Sequence, residues 1–437
     1  MREMKDSGIE WIGNVPKIWS LKPIRALFDE VTEKNFLGTC SNALKFTYGS
    51  IVRKHNFDAD ADDYVASTIL NYTVVEPGTI MLNGLNLNFD FVSQRIGLVK
   101  EKGVITSAYM AFKPNEKQLI DSEFATYLFK AYDGCKAFHN MGGGVRKILN
   151  FNEFKKYYIP LPDLNEQQHI VDLLDTQCSE IDATAEDIQK EISLLEEYKK
   201  SVITEAVTKG LNPAAEMKDS GIEWIGQIPK DWKVVRLEFL SWVRARLGWK
   251  GLKADEYVDE GYPFLSAFNI QDSKIKWEPL NFITKERFDE SPEIMLACGD
   301  VLLLKDGAGV GKCARIDSLP KGDSTVNSSL AVITCFDNLN YRYLYYSFNS
   351  SFFSNLINLK LNGMGVPHLT QEELRKFIVL LPCVKEQQQI ADYLDFKCSE
   401  IDTLIADKKR QLDILADYKK SLIYEYVTGK KEVPVNE

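Results

Sequence analysis

Two stretches of the chain carry apolar residues every seventh position. Ile181, Ile188, Leu195 and Val202 fall seven apart, with Ala185, Ile192, Lys199 and Ala206 four residues behind them. The later stretch has Ile401, Leu415 and Leu422, with Ile405, Leu412 and Tyr426 alongside; Lys199, Lys408 and Lys419 interrupt the stripes. A seven-residue period marks a helix that lays one seam on another helix. Each helix is expected to run about 28 residues, about 42 Å at 1.5 Å per residue. Asn165 reads as the cap of a short preceding turn, and Ser179 with Asp182 as a capping box that opens the long helix. Burying each large aliphatic contributes roughly 1.5–3 kcal/mol, so the stripes are expected to leave water by pairing. An antiparallel pair would place the flanking domains at opposite ends in a pseudo-two-fold arrangement. Packing of each helix on its own domain alone is the other solution.

The remaining segments alternate over short distances. ADDYVAST, YTVVEPGTIML and FVSQRIGLVKEKGVIT read as strands in the first half; YPFLSAFNIQ, GDVLLLKDGAGVGKCARI and SSLAVITCF do so in the second. Each set ends in a helix-like stretch, FATYLFKAYDG or YLYYSFNSSFFSNLINL. A glycine-rich turn follows (142–150 and 363–370), then a strand into Leu-Pro. The expected fold class is α/β, in its α+β form.

The chain repeats itself. MKDSGIEWIGNVPKIW at 4–19 matches MKDSGIEWIGQIPKDW at 217–232 in thirteen of sixteen positions, 213 residues on. Residues 161–208 match 381–428 in 24 of 48 positions at a spacing of 220, through Glu166-Gln167-Gln168 against Glu386-Gln387-Gln388, CSEID, YKKS and a final Val-Thr. Residues 20–140 and 233–361 share no comparable run. Two divergent inserts on one duplicated frame imply two sites doing the same kind of work on different targets. The boundaries this suggests are 1–162 for a first domain, 163–210 for a helical spacer, 211–382 for a second domain and 383–437 for a second spacer.

The 437 residues, 45% hydrophobic and 27% charged, suit a globular chain of more than one domain. No apolar run is long enough to span a membrane and the N-terminus has no secretory pattern; with the cysteines dispersed, a reducing cytoplasm is the simplest expectation. The eight cysteines and four histidines are dispersed, without a C-x-x-C pair, which gives a disulfide framework or metal site no support. Cys178 and Cys398 stand at equivalent repeat positions and read as small apolar helix residues. The net charge of −10 opposes a polycation that coats nucleic acid, yet leaves room for local basic patches that grip phosphates.

Such patches exist. Arg244, Arg246, Lys250 and Lys253 form a basic run around Trp249, and Arg146 and Lys147 follow three glycines. Arg53, Lys54 and His55 stand together; Asn83, Asn86, Gln94 and Arg95 make a polar set; Lys312 and His368 belong to the second half's glycine turns. Glycine-rich backbone brings main-chain N–H groups to phosphate, while Arg, Lys, Asn and Gln reach base edges. Each residue alone is equally at home on a solvated face; as groups they suggest a DNA surface.

Catalytic readings fail. GAGVGKC (307–313) resembles a phosphate loop, but Asp306 stands five before Gly311 and Cys313 occupies the position where Ser or Thr would ligate magnesium. No adenine-methyltransferase Asn/Asp-Pro-Pro-aromatic motif, helicase motif or nuclease cluster of acids and lysine is present.

The leader MKDSGIEWIG-x-x-PKxW, the segments GDVLLLKDGAGVGK and PGTIMLN…RIGLVKEKG…TSAY, and the block LP…EQQ-x-I-x-x-x-L-D…ID…YKKS together resemble Type I restriction specificity subunits over nearly the whole chain. The resemblance implies two target-recognition domains, each reading one half of a split double-stranded DNA site, and two helical spacers that set the gap. It implies partners too: two methyltransferase subunits that flip out an adenine, with the two Glu-Gln-Gln segments in the spacer regions they pack on, and two motor–nuclease subunits. S-adenosylmethionine, ATP and magnesium would then be bound by those partners and no cofactor by this chain, which would be non-catalytic. A coiled-coil interaction scaffold without DNA reading is the alternative, and a self-contained nucleotide-dependent enzyme a third.

Overall fold

The computed structural model describes residues 2–54, 69–89, 94–223, 225–246, 252, 256–307, 309–361 and 368–434. It is mixed α/β and divides into two compact units, Met1–Ile188 with Arg410–Glu437, and Gln189–Lys409. These units do not follow the boundaries drawn from the sequence, because each takes in half of both long helices.

Each unit is built on a four-stranded antiparallel sheet with the same strand order. In the first unit β1 (Phe28–Glu30), β2 (Ile80–Leu82), β3 (Ile96–Leu98) and β4 (Met110–Pro114) lie in the order β1-β4-β2-β3. The helix α1 (Ser122–Gly134) covers this sheet, its N-terminus capped by Asp121, whose carboxylate accepts from the Glu123 and Phe124 amides. Between them lies an aromatic core that includes Phe28, Phe112, Phe124, Phe129 and Phe154. In the second unit β5 (Ser241–Arg244), β6 (Asp300–Leu304), β7 (Cys313–Arg315) and β8 (Leu330–Cys335) lie in the order β5-β8-β6-β7. The capping residue of its covering helix, α3 (Tyr341–Phe348), is Asn340. The apolar runs that read as strands are therefore strands, fully buried at β2 and β6. ADDYVAST lies outside the described residues.

The long helices differ from the expectation in length. α2 spans Leu164–Lys209, 46 residues or roughly 69 Å, and α4 spans Val384–Val427, 44 residues. The Glu-Gln-Gln turn is simply the first turn of each helix. Asp163, rather than Asn165, caps α2 by accepting from the Glu166 amide at 2.9 Å. Ser179 and Asp182 open nothing; they lie inside the helix, and Asp182 is turned to another use.

That use appears in the seam. Within the first unit Asp182 accepts from Lys419 Nζ at 2.6 Å. Within the second Lys199 Nζ donates to Asp402 at 2.6 Å, and Lys408 pairs with Glu191. Rising numbers on α2 meet falling numbers on α4, so the helices run antiparallel within each unit. Asp182 and Asp402, like Lys199 and Lys419, are repeat equivalents 220 apart, so the two ion pairs are one interaction made twice. The lysines that break the apolar stripe are thus the residues that fix its register. Ile188, Ile401 and Leu422 are buried, and Ile181, Leu195, Val202 and Leu415 half-buried, as a helix-pairing stripe requires.

Candidate nucleic-acid interface

The repeated leader and the repeated helix start are conserved between the halves because they bind one another. Trp19 Nε1 donates to Glu166 at 2.9 Å, and Trp232 Nε1 to Glu386 at 3.1 Å. The fully buried Gln167 accepts from the Asp121 amide (2.7 Å) and donates to the carbonyls of Leu119 and Pro162. Gln387 does the same with the Asn340 amide (2.8 Å), Asn338 and Pro382. The expectation that these segments bind partner subunits is corrected here for Glu166, Gln167, Glu386 and Gln387. Their polar groups are spent on hanging each sheet-bearing domain from its helix, and the buried amides would be left unsatisfied otherwise. Gln168 and Gln388 bond Asp172 and Asp392 one turn on, and Gln388 also accepts from Asn340.

At one end of each sheet, the residues after the central strand meet the segment that precedes the strand into Leu-Pro: the glycine turn 142–150 in the first unit and His368–Thr370 in the second, whose residues 363–367 lie outside the described ones. In the first unit the Asn83 amide donates to Arg95 O and the Leu149 amide to Gly84 O, both at 2.9 Å. The approach is so close that a Cβ on Gly84 would lie 2.2 Å from Leu149 O. In the second unit the Leu304 amide donates to Lys312 O and the Leu369 amide to Lys305 O, both at 2.8 Å. These matching bonds align Gly84 with Lys305, Leu85 with Asp306, Arg95 with Lys312, and Ile148 with His368.

The first cluster brings Lys147, distant in sequence, to the neighbouring Asn83, Asn86 and Arg95. Arg95 is buried, and its guanidinium donates to the carbonyls of Asn83 (2.9 Å), Leu85 (2.7 Å) and Asn86 (3.2 Å). It is therefore the strut of the loop; the assignment of its side chain to DNA is corrected, since its donors already face backbone. The Leu87 amide ties the loop to Lys147 O at 3.1 Å. Asn86, Gln94 and Arg146 stand exposed on this frame, with Lys147 half-buried and Val145 almost wholly exposed.

The second cluster holds Lys305, Asp306, Lys312 and His368. Lys305 Nζ donates to Asp306 Oδ2 at 2.6 Å, and His368 Nδ1 bonds Asp306 Oδ1. Lys312 is exposed. Sequence reasoning named Lys312 and His368 but passed over Lys305 and Asp306, although Asp306 had already stood out as the wrong residue for a phosphate loop.

The basic run at 244–253 is corrected. Arg244 leaves β5 inward, donating to both Asp300 oxygens at 2.9 and 2.8 Å, to the carbonyls of Glu293 and Met295, and to Thr334. Asp300 is fully buried, so this is an internal ion pair at the end of the sheet away from the glycine turn. Arg246 is also buried, its side chain 4% exposed and 3.7 Å from Glu290. Lys250, Lys253, Trp249 and His55 lie outside the described residues. Arg53 forms a bidentate pair with Glu101 on an exposed hairpin, and Lys54 is exposed beside it.

Against this geometry the comparisons are plain. The model of the Type I restriction modification DNA specificity domain matches residues 22–194 and again 229–413. The chain belongs to the family of Type I restriction–modification specificity subunits. It is 25% identical over 423 residues to the Type I restriction enzyme MjaVIII specificity subunit of Methanocaldococcus jannaschii, covering 96% of this chain and 94% of that one. The EcoBI specificity subunit of Escherichia coli is 22% identical over 253 residues, 56% of this chain and 52% of that one. In fold it resembles a chain from a structural study of complex assembly and conformational transition of the Type I system, with a TM-score of 0.68, 17% identity and coverage of 95% and 99%. It also resembles the HsdS subunit from Thermoanaerobacter tengcongensis, with a TM-score of 0.50, 17% identity and coverage of 95% and 98%. Among the described residues no helix is long and apolar enough to cross a membrane.

Proposed function

We propose that each loop cluster reads one half of a split DNA site, and that the chain directs methylation and cleavage carried out by partner subunits. The observation that carries this reading is the pair of aligned clusters, one frame presenting different side chains at equivalent positions. A frame that repeats while its tips diverge is what reading two different half-sites requires. The scaffold alternative gives the divergence no role.

The helices support the partner assignment. Leu194 and Ile414 are repeat equivalents, 64% and 61% exposed, and one turn on from them Tyr198 and Tyr418 are exposed as well. Large apolar side chains at i and i+4 form a face that water disfavours. Two such faces fit two methyltransferase subunits, which would bring S-adenosylmethionine and flip out the target adenine. Two motor–nuclease subunits would add ATP- and magnesium-dependent translocation and cleavage, leaving this chain non-catalytic, bound to double-stranded DNA and cytoplasmic.

Mapping adenine methylation in cells that express the cognate methyltransferase subunit, with and without this chain, tests the proposal. A split motif methylated only when both are present is the expected result. The same motif without this chain, or none with it, would overturn the reading.

A further inference from the structure

We infer that Asp306 is the residue with which the second domain recognises a cytosine, with Lys305 and His368 holding its carboxylate in place; the inference rests on the proposal that the loop clusters read bases.

A carboxylate in a loop that faces a duplex meets phosphate repulsion unless its charge is balanced. Lys305 supplies the balance: its ammonium sits 2.6 Å from Asp306 Oδ2, with its own side chain only 12% exposed. His368 fixes the other oxygen. A carboxylate oxygen accepts, so the imidazole donates from Nδ1 to Oδ1. Backbone pairing between Asp306 and His368, and the bond from the Leu369 amide to Lys305 O, hold both segments together. Each carboxylate oxygen accepts about two hydrogen bonds, so one site on each remains. The Asp306 side chain is 31% exposed, which leaves those sites open to a ligand.

Among the described residues no further donor reaches this acceptor pair. On the major-groove edge the exocyclic amino groups of cytosine and adenine are the donors. Adenine presents its amino group beside the N7 acceptor, whose lone pair opposes a carboxylate's second oxygen. Cytosine presents its N4 amino group beside a C5–H bond, which offers no such opposition. The chemistry at Asp306 therefore selects cytosine. The aligned residues of the first domain, Leu85 and Ile148, have no side-chain acceptor, so the two domains differ at the same place in the same frame.

Methylation mapping of the complete complex separates the possibilities. The parent chain is expected to give a split motif with a G·C pair at one position of the second domain's half-site. That half is identified as the one left unchanged when residues 20–140 are exchanged. Asp306→Asn is expected to cut the preference for cytosine at this position about ten-fold, the scale of one lost base contact, while every other position persists as an internal control for folding. His368→Ala is expected to weaken the same position less. A motif unchanged in Asp306→Asn overturns the inference and leaves the two-reader proposal standing. Absence of a split motif from the parent overturns both. If Asp306→Asn abolishes all methylation, His368→Ala decides: weakened choice at one position upholds the inference, and an unchanged motif overturns it.

Discussion

The two units attach the same frame to their insert in different ways. In both, a two-residue hairpin lies against the sheet's edge strand, with left-handed residues at its tip: Tyr48 and Gly49 in the first, Asp272 and Ser273 in the second. The second hairpin is clamped. Lys274 reaches Asp402 at 3.2 Å, Ser273 bonds Asn349 at 2.6 Å, and Tyr345 donates to Ser273 O. Arg315 and Arg342 both grip Asp395 beside it. The first hairpin leaves a cleft of about 870 Å³, lined by Tyr48, Lys130, Cys178 and Lys419. Yet Tyr127 donates to Asp175 at 2.6 Å just as Tyr346 does to Asp395, so the frame beneath is the same. The difference teaches that the frame holds each domain by itself, and leaves the insert free to add contacts or do without them.

Breaking the internal ion pair should separate the units most. Arg244→Ala leaves Asp300 buried without its cation, a loss of about 3–5 kcal/mol. Hydrogen exchange should show protection falling through Gln189–Lys409 far more than in the first unit. Equal loss in both would mean that the units do not hold their cores separately.

The frame itself should respond equally on both sides. Gln167→Leu and Gln387→Leu each leave a domain's helix start without its acceptor, at about 1–3 kcal/mol each. Matching losses in denaturant titration are expected; a two-fold disparity between them would contradict a shared frame.

The seam pair that the clamp reinforces, Lys199–Asp402 with Lys274 added, should respond to acid. Burial pushes the Asp402 carboxyl up, but the Lys199 ammonium, aided by Lys274, outweighs it and holds the group below the usual carboxylate range. Asp395 is likewise pushed up by burial and brought lower by Tyr346, Arg315 and Arg342. A depressed folded pKa stabilises above the unfolded value of about 3.9 and loses that contribution as pH falls through the folded value. Asp402→Asn should therefore melt below the parent at pH 7, by about 1 kcal/mol or less for a half-exposed pair, with the gap closing below about pH 4. A gap that persists in acid would assign the effect to packing.

The smallest effect is expected at the first glycine turn. Arg146→Ala should leave stability within about 0.5 kcal/mol and lower the salt slope of DNA binding by about one. An unchanged slope would take this turn off the duplex.

The repeats made the frame legible: the paired stripes, the two inserts and the first glycine turn stand where the sequence pattern put them. Burial of charge was not legible. Nothing local to Arg244 reveals Asp300, 56 residues on, and a run of basic residues looks the same facing water or core. Arg95 misled for a similar reason, since the carbonyls it holds exist only once the loop closes. Gln167 and Gln387 looked like surface because glutamine usually is, and their partners lie 46 and 47 residues away. The continuity of α2 was hidden by Ser179 and Asp182, whose capping pattern is indistinguishable in sequence from the helix-interior ion pair that Asp182 makes.

The central claim, two independent readers on one duplicated frame, is tested most directly by exchanging residues 20–140 for the corresponding segment of another family member and mapping adenine methylation. One half-site should change and the other stay intact at its original identity. A change in both half-sites would contradict the account.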